Sequence, residues 1–379
     1  MSDRDLISVL KSCGTDLAIT LPCDKARELF FDIPKYFRHV GIVREEDGVG
    51  IAAGAYLGGA KPVLVIQSSG IGNMLNALMS LSRLYRFPLP VIASLRGGHD
   101  EAIAAQVPFN SRLPSVLKAV QIPYCVINTP KDLWKIRDLI TMSFKKEIPV
   151  VGLISPSVFR NAEPVPETAR TPACLAGRMD SSQCMDLPAP SMTRYGAIQT
   201  IMDTIKDELI VTNIGVPSKE VYAIRDRPKN FYMLGSYTQA SSIGLGLSLS
   251  TDEKVTVIDG DGSLLGSSVL PVIGEEQPRN LRIICLDNGT FGSTGNQPSP
   301  ASGRADLATI AYGSGIQSPF TVSEKSKLVE LLNSDIPGPL FIRFIINPGN
   351  SSVPNIPLSP IEIRERFMGA IRKESDQSK

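Results

Sequence analysis

Short apolar runs alternate with helical patterns along almost the whole chain, and this alternation constrains the fold more than any other feature. In the first half, the apolar runs span residues 17–21, 39–43, 62–67, 90–95, 124–127 and 149–154. After an interruption they resume at residues 209–212, 232–234, 255–259, 281–287, 320–322 and 339–346. Buried strands separated by helices predict open parallel sheets with helices on both faces, which is an α/β fold.

The helical patterns occupy the segments between these predicted strands. In the first half we predict helices over residues 24–32, 45–58, 73–84, 113–119 and 130–144. In the second half we predict helices over residues 194–206, 218–225, 240–249, 325–332 and 360–372. A chain of 379 residues with this pattern predicts two doubly wound parallel-sheet domains of similar size.

The interruption between the halves has a different composition. Residues 161–192 are rich in Pro, Ser, Thr and Ala and show little periodicity, which is typical of a linker. We therefore predict a first domain at residues 1–160, a linker at 161–192, a second domain at 193–372 and a charged, frayed tail at 373–379.

Composition argues against several classes of protein. The 39 basic and 38 acidic residues are spread along the chain without a basic patch, so nucleic acid is not an expected partner. No apolar run approaches the roughly 18 residues of a membrane span, and the first residues lack the apolar segment of a signal peptide. Six cysteines without a Cys-x-x-Cys pair predict free thiols in a reducing cytoplasm, and only two histidines make a histidine metal site unexpected.

Two polar turns follow neighbouring predicted strands of the second half. Gly260-Asp261-Gly262-Ser263 ends the run at 255–259, and Asn288 ends the run at 281–287, 27 residues after Asp261. Parallel strands end at the same edge of a sheet, where ligands bind. Carboxylate, amide and backbone oxygens suit Mg²⁺, and a helix start suits a diphosphate. The pair therefore predicts a site for both, although each turn alone is also ordinary turn chemistry.

Acidic residues also begin a predicted helix in the first half. Glu45, Glu46 and Asp47 follow a predicted strand directly, in a segment that continues as Gly48 to Gly54. Acids in a first helical turn complement the helix macrodipole, so a purely structural role is one interpretation. A second interpretation is a catalytic carboxyl group, a role that the family resemblance given below implies.

Two glycine-rich loops lie at further strand ends. Residues 67–73 close the third predicted strand, but no third glycine follows at the spacing of a dinucleotide fingerprint and no acidic residue ends the next strand. Residues 235–238, Gly-Ser-Tyr-Thr, open a predicted helix. Gly244 and Gly246 in this helix indicate close packing of the helix against a sheet.

The spacing from Gly-Asp-Gly to Asn288 resembles the signature of thiamine-diphosphate enzymes. The resemblance implies that Mg²⁺ is bound by the side chains of Asp261 and Asn288 and by the backbone oxygen of Thr290. It implies a catalytic glutamate that hydrogen-bonds the pyrimidine of thiamine diphosphate, and the spacing to residues 69–73 favours Glu45 over the alternate Glu46. The residues implied to contact the cofactor are Ser69, Gly70, Gly72, Asn73, Gly235, Ser236, Tyr237, Gly260, Asp261, Gly262, Ser263 and Asn288.

Tyr237 departs from the pattern of that family. An apolar residue usually stands at this position, between Gly-Ser and a second glycine, and holds the cofactor bent. Here Tyr237 replaces the apolar residue and Thr238 replaces the glycine. Gly235 therefore carries over with its implied role, whereas Tyr237 carries over in position only.

The loop after the fourth predicted strand is the candidate substrate site. It reads Arg96-Gly97-Gly98-His99 and continues to Asn110. An arginine suits bidentate contact with an oxyanion, and a histidine in a glycine-rich loop suits proton donation, although a solvated histidine is the alternative. We predict Arg96, His99 and Asn110 as substrate-binding residues.

Longer segments of the chain resemble the sulfopyruvate decarboxylases, at residues 44–78, 231–247, 260–288, 348–360 and 364–368. In that family the glutamate half and the Gly-Asp-Gly half are often separate subunits, and here both stand in one chain without a central third domain. The phosphonopyruvate decarboxylases are related, but typically read Asn-Glu-Gly-Asn-Ala where residues 44–48 read Arg-Glu-Glu-Asp-Gly.

This resemblance implies a pyrimidine-binding domain followed by a diphosphate-binding domain. It also implies non-oxidative decarboxylation of 3-sulfopyruvate to sulfoacetaldehyde and CO₂, a step toward coenzyme M. Because the cofactor bridges halves from different chains in this fold, it implies at least a homodimer. The alternatives are a phosphonopyruvate or other short 2-oxoacid decarboxylase, a catalytically silent cofactor-binding regulatory module and, from a third class, a dinucleotide oxidoreductase.

Overall fold

The chain is described here by a computed structural model that covers residues 3–98, 101–159 and 187–377. The first sheet contains β1 Leu17–Thr20, β2 Arg38–Gly41, β3 Pro62–Gln67, β4 Leu89–Ser94, β5 Tyr124–Ile127 and β6 Pro149–Ile154. The second sheet contains β7 Leu209–Thr212, β8 Asn230–Tyr232, β9 Val255–Gly260, β10 Leu281–Asp287, β13 Ser318–Val322 and β14 Leu340–Ile345. A small antiparallel pair follows β10 and consists of β11 Thr290–Phe291 and β12 Gln297–Pro298.

Helices cover both faces of each sheet. Those of the first domain are α1 Asp3–Ser12, α2 Arg27–Tyr36, α3 Glu45–Leu57, α4 Gly70–Ala77, α5 Val107–Asn110, α6 Leu113–Ala119 and α7 Trp134–Lys146. Those of the second domain are α8 Arg194–Thr204, α9 Val216–Ile224, α10 Ala240–Ser248, α11 Asp261–Leu265, α12 Val269–Glu276, α13 Leu307–Gly313, α14 Lys325–Leu332 and α15 Pro360–Gln377. A π-helical turn, Leu78–Arg83, continues α4.

The two sheets share one topology. The first has the strand order β2-β1-β3-β4-β6-β5, and the second has the order β8-β7-β9-β10-β14-β13. Numbered within each domain, both orders read 2-1-3-4-6-5, and the neighbouring strands of both sheets are parallel. The predicted pair of doubly wound parallel-sheet domains is therefore confirmed, and the two domains are architectural duplicates.

Several elements differ from the predicted ones. The helix predicted at 73–84 begins at Gly70 and becomes π-helical after Ala77. The strand predicted at 232–234 lies at 230–232, because the amide of Leu234 donates to the Tyr85 hydroxyl. Helices α1, α5 and α13 were not predicted, because their apolar patterns are short or lie within connections.

The segments outside the two domains are described only in part. Residues 161–186 of the predicted linker lie outside the described residues. At the other end, α15 continues to Gln377, into the tail predicted at 373–379. Lys, Glu and Gln are good helix formers, which explains why the helix extends past the apolar pattern.

The two domains meet along α3 and α10. In the first turn of α3, Asp47 contacts Ser242 in the first turn of α10. Just after the end of α3, Gly58 contacts Ser250, which follows the end of α10. The contacts advance together along both helices, so the helices run in the same direction. One apolar core contains buried residues from both domains. The carboxyl edges of both sheets consequently face the same side of the chain.

Glycines permit this close contact. A Cβ on Gly54 would overlap the backbone oxygen of Ile243, and a Cβ on Gly246 would overlap the backbone oxygen of Ile51. Both obstacles are main-chain atoms, which cannot rotate away as a side chain can. The predicted packing against a sheet is confirmed for Gly244, where a Cβ would overlap Val257 of β9, and is wrong for Gly246, which packs against a helix of the other domain.

We expect Gly54→Ala to lower the free energy of unfolding by about 2–3 kcal/mol, because the added methyl group must push two helices apart. Urea unfolding of the full chain measures this change. Gly369→Ala in α15 is the matched control, because no atom lies within 4 Å of its added Cβ. That variant should be unchanged or stabilised by up to about 1 kcal/mol. Equal stability of the two variants would contradict the packing argument.

Candidate active site

A cleft opens at the carboxyl edge of the second sheet, where the Gly-Asp-Gly turn ends β9 and begins α11. Its volume is about 190 Å³. Sites that hold whole drug-sized ligands usually exceed about 300 Å³, so this cleft fits one end of a larger ligand. It is lined by Arg194, Asn213, Ile214, Pro217, Tyr237, Asp259, Gly260, Asp261, Gly262, Ser263, Leu286, Asn288, Thr290, Phe291, Gly292, Ser293 and Thr294.

Asp261 is the buried carboxyl group of this cleft. Its side chain is 3% exposed, and Ser299 Oγ donates a hydrogen bond to its Oδ2. The pKa of Asp261 is raised to about 6, chiefly by burial and in part by the neighbouring Asp287, against the lowering effect of the hydrogen bond from Ser299. A divalent cation in the cleft would stabilise the charged form of such a carboxyl group.

The turn after β10 supplies the other predicted metal ligands. Asn288 and Thr290 both line the cleft, and the amide of Thr290 donates to Asn288 Oδ1 at 3.0 Å. Gly289 between them has φ of +65°, a conformation that favours glycine. The structure thus brings Asp261, Asn288 and Thr290 together at one cleft, and this all-oxygen set fits Mg²⁺. The described residues contain no cluster of His, Cys, Asp and Glu that would offer another metal site.

The predicted catalytic glutamate begins α3 in the first domain. Glu45 is 8% exposed, and its Oε2 accepts a hydrogen bond from Asn73 Nδ2 at 3.0 Å. Gly70 lies so close that a Cβ there would overlap the Glu45 carboxyl group. Glu46 instead forms an ion pair with Arg44 at 3.2 Å. Burial and the contacts with Gly70 and Asn73 therefore favour Glu45, whose catalytic role stays a prediction.

The turn at residues 235–238 is strained. Ser236 and Thr238 have φ of +68° and +73°, which side chains seldom adopt. The buried Ser236 Oγ has no hydrogen-bond partner among the described residues, as expected of a group that meets a polar ligand. Tyr237 lines the cleft, and its hydroxyl donates to the backbone oxygen of Gly262 at 2.5 Å. Tyr237 therefore joins this turn to the Gly-Asp-Gly turn.

Arg96, predicted to bind the substrate, is paired within the protein. Its Nε and Nη2 each donate to Glu101 at 2.8 Å, and its Nη1 donates to Asp24 at 2.7 Å and to Gln67 at 2.9 Å. The guanidinium holds the pKa of Glu101 well below its usual range, at about 2. These pairs make Arg96 an anchor of its own loop, so the geometry disfavours the predicted direct contact with an oxyanion.

Of the other two predicted substrate residues, only Asn110 lies within the described part of the chain. Asn110 is 3% exposed, accepts from Ser68 Oγ at 2.6 Å and donates to the Gln106 backbone oxygen at 2.7 Å. These bonds hold Asn110 at the carboxyl edge of the first sheet. His99 lies outside the described residues. The substrate roles of Asn110 and His99 stay predictions.

Asp47 was not predicted as a site residue. It accepts from Ser242 Oγ at 3.2 Å, from Ser267 Oγ at 3.0 Å and from the Ser268 amide at 3.1 Å. Burial raises the pKa of this carboxyl group. Asp47 thus ties the start of the Glu45 helix to the connection that follows α11. The one sequence signal for Asp47 was its place in the acidic triplet Glu45-Glu46-Asp47, because the residues that it contacts lie about 200 positions away.

The cleft and Glu45 belong to different domains. Every described residue that lines the cleft lies between Arg194 and Thr294, so the first domain of the same chain contributes none. The carboxyl edges of both sheets face the same side, because α3 and α10 are parallel. The contacts of Asp47 with Ser267 and Ser268 also place the start of the Glu45 helix next to the connection that follows α11.

Comparison with known proteins matches both domains to one family. The N-terminal TPP binding domain of thiamine pyrophosphate enzymes matches residues 3–112, and the C-terminal TPP binding domain of these enzymes matches residues 214–344. A solved benzoylformate decarboxylase from Polynucleobacter necessarius has the same fold, with a TM-score of 0.67 and 12% identity over 94% of this chain and 100% of that one. The fold and the site define a thiamine-diphosphate-dependent enzyme.

The chain belongs to the sulfopyruvate decarboxylase family. It is 42% identical over 372 residues to sulfopyruvate decarboxylase of Methanosarcina acetivorans, with 96% of each chain covered. It is 45% identical to the β subunit of sulfopyruvate decarboxylase of Methanococcus maripaludis, which covers 48% of this chain and 99% of the subunit. It is 30% identical to phosphonopyruvate decarboxylase of Streptomyces viridochromogenes, with 96% and 93% covered. The predicted fusion of two halves that also occur as subunits is confirmed.

The remaining general expectations have these outcomes. Within the described ranges, no helix has the length and apolarity needed to cross a membrane. Four described cysteines, at positions 13, 23, 125 and 285, are free thiols as predicted. The thiamine-diphosphate-dependent decarboxylase class is confirmed, in preference to the alternatives of a catalytically silent module and a dinucleotide oxidoreductase.

Proposed function

We propose that this chain catalyses the non-oxidative decarboxylation of 3-sulfopyruvate to sulfoacetaldehyde and CO₂, with thiamine diphosphate and Mg²⁺. The observation that carries the proposal is the 42% identity to a sulfopyruvate decarboxylase over 96% of both chains. Asp261, Asn288 and Thr290 form an all-oxygen set of ligands at the cleft, which is consistent with Mg²⁺ and the diphosphate of this cofactor. In this role the product feeds coenzyme M synthesis, and free thiols are consistent with a cytoplasmic enzyme.

The residues of the chain have separate tasks in this reaction. Bound thiamine diphosphate supplies the nucleophilic carbon and accepts the electron pair that CO₂ leaves behind. Asp261 and Asn288, with the backbone oxygen of Thr290, would hold Mg²⁺ and so anchor the diphosphate. Glu45 would exchange a proton with the pyrimidine ring, and Asn73 holds its carboxyl group in place.

The active unit in this proposal is a homodimer, and larger assemblies are compatible with it. The cleft is lined by the second domain alone, while Glu45 lies in the first domain. A twofold-related copy can present its first domain to the cleft and receive the same contact in return. The separate α and β subunits of relatives also support assembly from several chains.

We expect the chain to turn over sulfopyruvate with a kcat/KM at least about 100-fold above that for pyruvate, because a site built for a charged group rejects an analogue without it. The two substrates and phosphonopyruvate are compared in one assay with saturating cofactor and Mg²⁺. Phosphonopyruvate decarboxylation is the second candidate, favoured by the 30% identical Streptomyces relative. A higher kcat/KM for phosphonopyruvate than for sulfopyruvate would make that candidate the function.

A further inference from the structure

The segment 348–351 follows β14 and has no task in the site described above. Asn350 accepts from Arg194 Nη2 at 2.9 Å and donates from its Nδ2 to the Gly292 backbone oxygen at 2.8 Å. The next residue, Ser351, donates from Oγ to Glu220 at 2.5 Å. The segment therefore connects Arg194 and its partners to the loop that follows the predicted metal ligands.

Arg194 is the centre of this arrangement. Its side chain is 7% exposed and that of Glu220 is 1% exposed. Nε donates to Glu220 Oε2 at 2.8 Å, and Nη2 donates to Glu220 Oε1 at 3.3 Å and to Asn350. These bonds fix the plane of the guanidinium. An arginine has five N–H donors, and Nη1 with two of them has no hydrogen-bond partner among the described residues.

The Nη1 group lies beside the predicted metal ligands. A Cβ placed on Gly292 would be 3.6 Å from Arg194 Nη1 and 3.4 Å from Asn288 Nδ2, so both groups border the same point. Arg194 also lines the cleft together with Asp261. It is the one positively charged side chain among the described residues of that lining, which contains two aspartates.

The position of Arg194 in its helix gives an independent indication. It is the first residue of α8, where the positive end of the helix dipole disfavours a cation. A buried arginine at this place needs a partner anion, and Glu220 satisfies only two of its three nitrogens. A diphosphate carries more negative charge than one Mg²⁺ neutralises, and guanidinium groups bind phosphate oxygens well.

We infer that Arg194 is a cofactor-binding residue whose Nη1 donates to the diphosphate of thiamine diphosphate, with Glu220 and Asn350 as positioning residues that orient the guanidinium. The inference rests on the proposed use of that cofactor. It assigns the cleft a positively charged contact in addition to the metal. The proximity to Asn288 places this contact at the metal end of the cleft.

The test measures binding of inorganic pyrophosphate and of thiamine diphosphate to the metal-loaded, cofactor-free chain by calorimetry. The variant is Arg194→Met combined with Glu220→Gln, so that no unpaired carboxylate is left buried. We expect both dissociation constants to rise by a similar factor of about 10–100, as for loss of a charge-assisted hydrogen bond. At saturating cofactor, the KM for the 2-oxoacid should stay within about threefold of the wild-type value.

Two further variants keep the test decisive. Arg282→Met with Glu208→Gln removes a comparable ion pair of the same domain, at 3.2 Å, away from the cleft, and should leave pyrophosphate binding unchanged. Arg194→Lys keeps the positive charge but loses the planar set of N–H donors, so it should weaken pyrophosphate binding several-fold. This variant keeps the test available if the double variant does not fold. Thermal unfolding checks that each protein is folded.

The outcomes separate this inference from the proposed function. Unchanged pyrophosphate affinity in folded Arg194 variants would overturn the inference while the wild type still binds the cofactor. Unchanged pyrophosphate affinity with a raised KM for the substrate would assign Arg194 to the substrate anion instead. Failure of the wild-type chain to bind thiamine diphosphate would contradict the proposed function itself.

Discussion

Replacing Glu45 with Gln is expected to lower kcat by about 10²–10⁴-fold, the usual contribution of a positioned proton-transfer group. Gln has the same shape, so the hydrogen bond from Asn73 and the contact with Gly70 can persist. The affinity for thiamine diphosphate should therefore change by less than about threefold, because the diphosphate is held elsewhere. Single-turnover kinetics and calorimetry measure the two quantities on the same protein.

Glu46→Gln is the matched control for this experiment. Glu46 stands next in the chain and is paired with Arg44 near the surface, so its loss should change kcat by less than about threefold. If Glu46→Gln abolishes turnover while Glu45→Gln does not, the assignment of the catalytic glutamate is reversed. If neither change matters, proton transfer with the cofactor does not depend on this helix.

Replacing Asp261 with Asn is expected to weaken Mg²⁺-dependent cofactor binding by at least about 100-fold, because loss of a ligand should cost no less than loss of its supporting contacts. The cofactor-free protein should be at least as stable as the wild type. Burial raises the pKa of Asp261 to about 6, so its charge costs the fold up to about 3 kcal/mol at neutral pH, and Asn removes that cost. Calorimetry and thermal unfolding distinguish lost binding from lost structure.

The same variant tests whether active sites form between chains. Co-expressed Glu45→Gln and Asp261→Asn chains carry their defects in different domains, and a mixed dimer would contain one intact site and one doubly altered site. Random pairing should restore about one quarter of wild-type activity, because half of the dimers are mixed and half of their sites are intact. Sites built within single chains would show no recovery. Each variant expressed alone supplies the baseline.

Much of this candidate site could be predicted from the sequence. The alternation of apolar runs and helices requires parallel sheets, and parallel strands end at one edge, so Gly260 to Ser263 and Asn288 had to meet there. Their chemistry is local, because a turn, an adjoining helix start and oxygen-bearing side chains lie close in sequence. The same reasoning placed Glu45 at the first turn of a helix after a strand.

The contacts of Arg96 show where reasoning from residue types fails. An arginine in a loop at a sheet edge suggests an anion site, but its pairing with Glu101 and Asp24 uses its donors within the protein. Whether a charged side chain is available to a ligand depends on its neighbours in space. Residue spacing within one loop does not reveal those neighbours.

Sequence alone determined the α/β class, the division into two domains and the positions of the residues proposed to bind Mg²⁺ and to transfer the proton. These features depend on periodicity and turn chemistry, which act over a few residues. The tertiary structure decided which groups support them. Asp47 meets Ser267 across 220 positions, and Arg194 meets Asn350 across 156. Such contacts follow from how helices and strand ends pack, with backbone approaching backbone at Gly54, and no local pattern in the chain specifies them.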